Sequence, residues 1–194
     1  MKTLITLVAL IATPAFADTY QIDPATSSVL WKAGKKVGSF HNGDVKVKSG
    51  SLETDSKGKI KALNVVVDMK TIANEDLKGS PDFQTKLVTH LSSDDFFKVD
   101  KHPEATFALT SIEPAGKDNY KVKGQLTMIG NTKPIEFPAK ITLNKGTFTG
   151  SAKAEIKRLT WGLQYGSGSI FKSLTADKII NDSFELDLKL NGKK

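Results

Sequence analysis

The sequence predicts an all-β fold: a single antiparallel barrel or sandwich with one short helical excursion. Three observations predict it. Apolar and polar residues alternate along most of the chain, the period of strands with one buried and one wet face. A sheet that is wet on one side is antiparallel, because parallel sheets are covered on both faces. Clusters of Gly, Asn and Asp separate the alternating runs and carry hairpin chemistry.

The elements follow in order. Lys2, the apolar run at 4–11 and Ala15-Phe16-Ala17 have the order of a secretory signal peptide. The run is too short for a membrane span, which needs ~20 apolar residues. Cleavage is expected after Ala17, leaving one soluble domain at 18–194 that is periplasmic or secreted. Strands are expected at 28–33, 37–41 and 44–48. At 61–69, Leu63, Val65, Val67 and Met69 share one face. Ser80 before Pro81 is the usual order of an N-cap and a first helical residue. Phe83, Leu87 and Leu91 then form an apolar stripe, so a short amphipathic helix is expected at 81–91. Ser93 with Asp94 and Asp95 is expected to cap a further turn, and Phe96 and Phe97 to pin the excursion to the barrel.

Strands resume at 106–113 and 120–128, where Tyr120, Val122, Leu126 and Met128 alternate with polar residues. At 135–143, Ile135, Phe137, Ala139, Ile141 and Leu143 do the same. Strands at 147–158 and 184–190 complete the set. Asp55-Ser56-Lys57-Gly58, Gly116-Lys117-Asp118-Asn119 and Asn144-Lys145-Gly146 are the expected hairpin turns. Many strands joined by short hairpins make a barrel or a sandwich.

Composition narrows the function classes. The chain contains no Cys, which excludes disulfides, thiol chemistry and thiolate metal sites. Its formal charge is +7, carried almost wholly by scattered Lys, with Arg158 the sole Arg. A nucleic-acid surface would show a basic patch with Arg and stacking aromatics, so no nucleic-acid partner is expected. His41, His90 and His102 lack metal-ligand spacing, so no metal is expected. Asp94 and Asp95 are read as a helix-start pair rather than an acid–base pair. No nucleophile elbow or phosphate loop occurs, and the chain is expected not to be an enzyme.

The inward row at 147–158 runs Phe148, Gly150, Ala152, Ala154, Ile156 and Arg158, small in the middle. Gly124 occupies an inward row of another strand. Such residues either leave volume for a ligand or face larger partners in a filled, tapering core. Arg158 continues the inward parity and needs a partner. That partner is either an internal acid, Asp177 or Asp182, or an anionic ligand head.

Several stretches resemble the YceI-like family of bacterial envelope proteins. They are Tyr20-Gln21-Ile22-Asp23-Pro24, Gly38-Ser39-Phe40-His41-Asn42-Gly43, Asp68-Met69-Lys70-Thr71-Ile72-Ala73-Asn74, His90-Leu91-Ser92-Ser93-Asp94-Asp95-Phe96-Phe97, Gly124-Gln125-Leu126-Thr127-Met128-Ile129-Gly130 and Tyr165-Gly166-Ser167-Gly168-Ser169. They stand in family order over nearly the whole chain from 18 onward. The resemblance implies an eight-stranded antiparallel lipocalin-like barrel in the periplasm that binds a polyisoprenoid or similar lipid in its interior. Two positions depart from the family pattern: Thr26 stands where His is usual, and Asn74-Glu75-Asp76 where an Arg-Asp pair is usual.

The resulting expectation is a non-catalytic binding or carrier protein, with no cofactor beyond a bound isoprenoid lipid. The expected tail contacts are Trp31; Val65, Val67 and Met69; Phe107 and Leu109; Leu126; Phe137 and Ile141; Phe148; and Leu186 and Leu188. Arg158, His41 and Asn74 would meet a polar head, while Trp161 and Tyr165 would close the mouth. A transient membrane contact and a dimer are compatible with this reading. The alternative is an interaction or stress-related envelope protein with a filled core.

Overall fold

The computed structural model describes residues 18–194, so the expected signal peptide at 1–17 lies outside the described residues. The chain forms β1 (Asp18–Ile22), β2 (Ser28–Gly34), β3 (Phe40–Thr54), β4 (Ile60–Asn74), α1 (Pro81–Ser92), β5 (Glu104–Pro114), β6 (Asn119–Met128), β7 (Asn131–Asn144), β8 (Thr147–Lys157) and β9 (Ser183–Lys193). From β2 to β9 each strand pairs antiparallel with the next. β9 returns to β2 through Ser28–Lys189 to Lys32–Glu185 and closes the ring. Closure gives every strand of the ring a partner on both sides, although β7 and β8 pair only from Asn144–Thr147 to Ala139–Ala152.

Nine strands thus make an eight-stave barrel, because β1 shares the stave of β2. β1 pairs with the far end of β3, Asp18 opposite Thr54, and with the end of β9, Gln21 opposite Lys193. A turn at 23–27 breaks the stave, held by the amide of Ala25 on Asp23 Oδ1 at 2.9 Å. β1 was not expected as a strand. The strands expected at 37–41 and 44–48 are one long strand, β3. Val37 instead stands 57% exposed in the loop before it. Gly38, with φ of 110°, makes that loop, and the alternation on either side reads as two strands when the loop is misplaced.

Alternate connections fall at opposite ends. The short hairpins at 55–59, 115–118 and 145–146 close one end. The connections at 35–39, 75–103, 129–130 and 158–182 crowd the other, the mouth. The closed end is packed solid with Tyr20, Ile22, Leu52, Ile60, Leu63, Phe148 and Leu190. The Tyr20 and Phe148 rings meet edge to face at 6.0 Å.

α1 lies over the mouth against β4, and Ser80 and Pro81 begin it as the sequence indicates. Its inner stripe is Leu87, Val88 and Leu91; Phe83 is off that stripe and 67% exposed. A strict four-residue repeat drifts by about 40° per step around the helix, so Leu87 and Leu91 stay on the inward stripe while Phe83 leaves it. The turn after α1 forms as expected, with the Ser93 hydroxyl donating to His90 O and accepting from the Asp95 amide.

Candidate ligand cavity

The barrel encloses a cavity that runs from the packed floor to the mouth. The centre of a water-sized sphere can occupy about 190 Å³ of it. A single water needs only about 10–15 Å³ by that measure. Its wall is almost entirely hydrocarbon, so water inside would lack hydrogen-bond partners.

Among the residues expected to meet a tail, Trp31, Val65, Val67, Met69, Phe107, Leu126, Phe137, Ile141, Phe148, Leu186 and Leu188 all line this cavity. Leu109 does not. It keeps the inward parity of Phe107 and stands opposite Gly124, but it is half-buried against the core cluster and not on the cavity wall. The small row of β8 does leave space: Gly150, Ala152 and Ala154 are on the wall. A Cβ built at Gly150 would meet nothing closer than Leu190 Cβ at 3.8 Å. Gly124 is different. A Cβ there would lie 2.3 Å from the Phe107 ring, so this glycine seats an aromatic side chain instead of opening volume.

Arg158 begins the turn Arg158–Trp161 that follows β8, and it is 3% exposed. Its guanidinium is fully committed. Nε donates to Asn181 O at 2.7 Å, Nη1 to Leu163 O at 2.6 Å and Tyr165 O at 2.9 Å, and Nη2 to Ile180 O at 3.2 Å and Asp182 Oδ1 at 3.4 Å. All five donors are used. Arg158 therefore staples the connection at 158–182 and offers no donor to a ligand head. Asp182 is the internal acid; Asp177 lies exposed in the same connection and does not reach Arg158. Burial lowers the Arg158 pKa, and the Asp182 charge opposes that shift. Burial alone would raise Asp182, but hydrogen bonds from Ser167 and Ser169 and the charges of Arg158 and Lys172 hold it below the usual carboxylate range.

His41 and Asn74 are brought together, though neither lines the cavity. They meet at Asp76, with His41 Nδ1 2.8 Å from Asp76 Oδ2 and Asn74 Nδ2 2.6 Å from Asp76 Oδ1. Asn74 also donates to Asn42 O at 3.1 Å and accepts from the Leu77 amide at 3.0 Å. Burial pushes Asp76 up, but the Asn42 amide, His41 and Asn74 outweigh it and lower its pKa. The cluster locks β3 to the start of the helical excursion, which absorbs the polar groups expected for a ligand head. Thr26 sits exposed in the 23–27 turn, away from the wall.

Trp161 is 3% exposed and its indole donates to Leu126 O at 2.9 Å, so it is part of the packed wall, not a cap on the mouth. Tyr165 is at the mouth, where its ring meets His90 at 4.7 Å and Phe96 at 5.2 Å. This three-ring cluster joins the helical excursion to the connection at 158–182. Leu91, Phe96, Phe97, Ile180 and Phe184 also line the cavity, towards the mouth, and none was expected there from the sequence. Leu91 and Phe184 carry helical and strand periodicity and Phe96 and Phe97 were expected only to pin the excursion, while Ile180 lies in an irregular segment where periodicity carries no signal. Among the described residues, no group of three His, Asp or Glu could hold a metal ion.

A closed antiparallel barrel around an apolar cavity, roofed by a helix, defines a calyx. Residues 20–191 match the model of the YceI-like domain, and the chain belongs to that family. Two similar proteins are a UPF0312 protein of Pseudomonas putida, 34% identical over 141 residues, and one of Pectobacterium atrosepticum, 46% identical over 52 residues. The first alignment covers 72% of this chain and 66% of the relative, and the second 27% of each. The chain thus spans just under two thirds of the Pseudomonas relative. Among solved structures, Burkholderia cenocepacia BcnA has a TM-score of 0.67 at 22% identity, over 88% of this chain and 98% of that one. A polyisoprenoid binding domain from Saccharophagus degradans has a TM-score of 0.64 at 15% identity, over 92% and 99%. At these identities the likeness is one of fold.

Proposed function

We propose that this protein is a non-catalytic, exported binding protein that holds a long apolar lipid of polyisoprenoid type inside its barrel. The observation that carries the proposal is the apolar cavity, continuous from the floor at Phe148 to the roof at Phe96 and Phe97. A flexible hydrocarbon chain suits it. Each buried CH₂ contributes about 0.8 kcal/mol before the cost of ordering the chain. The Saccharophagus domain of the same fold is described as polyisoprenoid binding, which supports the ligand class. A filled-core interaction protein would have no use for this internal space.

Arg158, His41 and Asn74 are engaged by the protein itself, so none of them is assigned to a polar ligand head. Exposed Val37, Ile170 and Phe171 stand in the mouth connections near Lys35, Lys36 and Lys172, with exposed Phe40 at the start of β3 beside them, a composition suited to transient contact with an anionic membrane. The test is titration of delipidated Trp161→Phe protein with an isoprenoid quinone, reading fluorescence of the remaining Trp31 on the cavity wall. Saturable one-to-one quenching is expected. No quenching at any quinone concentration removes the proposal.

A further inference from the structure

Resting on that reading, we propose that the apolar ligand enters and leaves sideways, through an unzipped seam in the barrel wall between β7 and β8. The pairing of these strands runs from Asn144–Thr147 up to Ala139–Ala152 and stops. Above that point, among the described residues, 131–138 of β7 pair only with β6 and 153–157 of β8 only with β9.

The sequence explains why the seam opens there. Continuing the register would set Pro138 opposite Lys153, Glu136 opposite Glu155 and Pro134 opposite Lys157. Neither proline has an N–H to give to a ladder. Two carboxylates directly across a strand pair repel. Glu136 turns instead to β6, with Lys121 at 2.8 Å and Lys123 at 3.7 Å. The seam is pinned at both ends. Below is the regular ladder. Above, the Asn131 side chain donates to Trp161 O at 2.9 Å, and Trp161 is itself bonded to β6.

Between those pins the inward residues are Ile135 and Phe137 on one strand and Ala154 and Ile156 on the other. All four line the cavity. The seam therefore lies over an apolar interior with no hydrogen bonds to break. The mouth, by contrast, is tied shut by the aromatic cluster at Tyr165 and the five donors of Arg158. A chain many carbons long could slide through a slit along its length, while entry by the mouth would require those ties to open.

The test uses the absence of native Cys. The double variant Glu136→Cys, Glu155→Cys is stapled across the seam with a cleavable bis-maleimide. A control staple joins Lys140→Cys and Ser151→Cys, which face each other in the paired half. Uptake of a ubiquinone with eight isoprene units from phosphatidylcholine vesicles is followed by tryptophan quenching. The seam staple is expected to slow uptake, and release from preloaded protein, at least tenfold. The control staple should change either rate less than twofold. Cleaving the seam staple in the same sample should restore the rate, which separates blockage from damage. An unchanged rate in stapled protein that still saturates overturns the seam and leaves the carrier reading standing. A slow rate that cleavage does not restore also overturns the seam. Failure of unstapled protein to bind overturns both.

Discussion

Replacing Gly150 by Leu separates a hollow barrel from a filled one by the sign of its effect. In a filled core, four added carbons overpack and cost about 1–3 kcal/mol. Here the new Cβ would sit 3.8 Å from Leu190 and 3.9 Å from Phe148, ordinary contact, with the side chain directed into the cavity. Four buried carbons at about 0.8 kcal/mol each contribute roughly 3 kcal/mol. Loss of leucine rotamers removes about 0.5–1 kcal/mol, and leaving glycine in a strand interior returns a similar amount. Imperfect packing reduces the total, so a gain of about 2 kcal/mol is expected. For a chain this size that raises the Tm by about 4–8 °C. Calorimetry must use delipidated protein, because a bound ligand raises the Tm on its own. The same variant should bind isoprenoid quinone at least tenfold more weakly. A fall in Tm would show that the space is absent. A higher Tm with undiminished binding would show that the ligand lies elsewhere.

Further outcomes follow from the same contacts. Gly124→Ala should lower stability by about 1–3 kcal/mol in urea titration, because its Cβ would lie 2.3 Å from the Phe107 ring; a neutral result would contradict that packing. Arg158→Met should cost about 3–5 kcal/mol, since it leaves four carbonyls and the Asp182 carboxylate without their donor. Arg158→Lys should recover only part of it, because an ammonium cannot reproduce the fork. Asp182 and Asp76 both have lowered pKa values in the folded protein. Their stabilisation is therefore present above the ordinary Asp value near ~3.9 and is lost as pH falls through the lower folded values. Hydrogen exchange at 166–182 should accelerate in that acid range, and Asp182→Asn should flatten the acid dependence; equal acid sensitivity in the variant would contradict the assignment.

The strands and hairpins were legible because alternation and turn chemistry are local, whereas the choice of a barrel over a sandwich came from the family resemblance. Leu63, Val65, Val67 and Met69 declare one face of β4 without reference to any other strand, and Asn144-Lys145-Gly146 declares the hairpin between β7 and β8. Parity gave the inward rows of the regular strands, and most but not all of those residues line the cavity; Leu109 does not. What parity cannot tell is whether a small inward residue faces space or a neighbour. Gly150 and Gly124 look alike in sequence, and only the position of Phe107 separates them. Arg158 was legible as an inward cation needing a partner. That its partners are mainly backbone carbonyls of a loop at 163–181 was not, because carbonyls carry no sequence signature. The open seam did leave a signal. Pro138 inside the strand expected at 135–143, with Pro134 of like parity just before it, marks an edge where a closed barrel should have none.

The central claim is that the barrel holds an apolar chain. Native mass spectrometry of protein purified from its native cells, followed by organic extraction and lipid mass analysis, tests it most directly. A one-to-one adduct whose extracted mass is that of a long isoprenoid is the expected result. Protein that is bare, and that stays bare when offered an isoprenoid quinone or a polyprenyl phosphate, would contradict it.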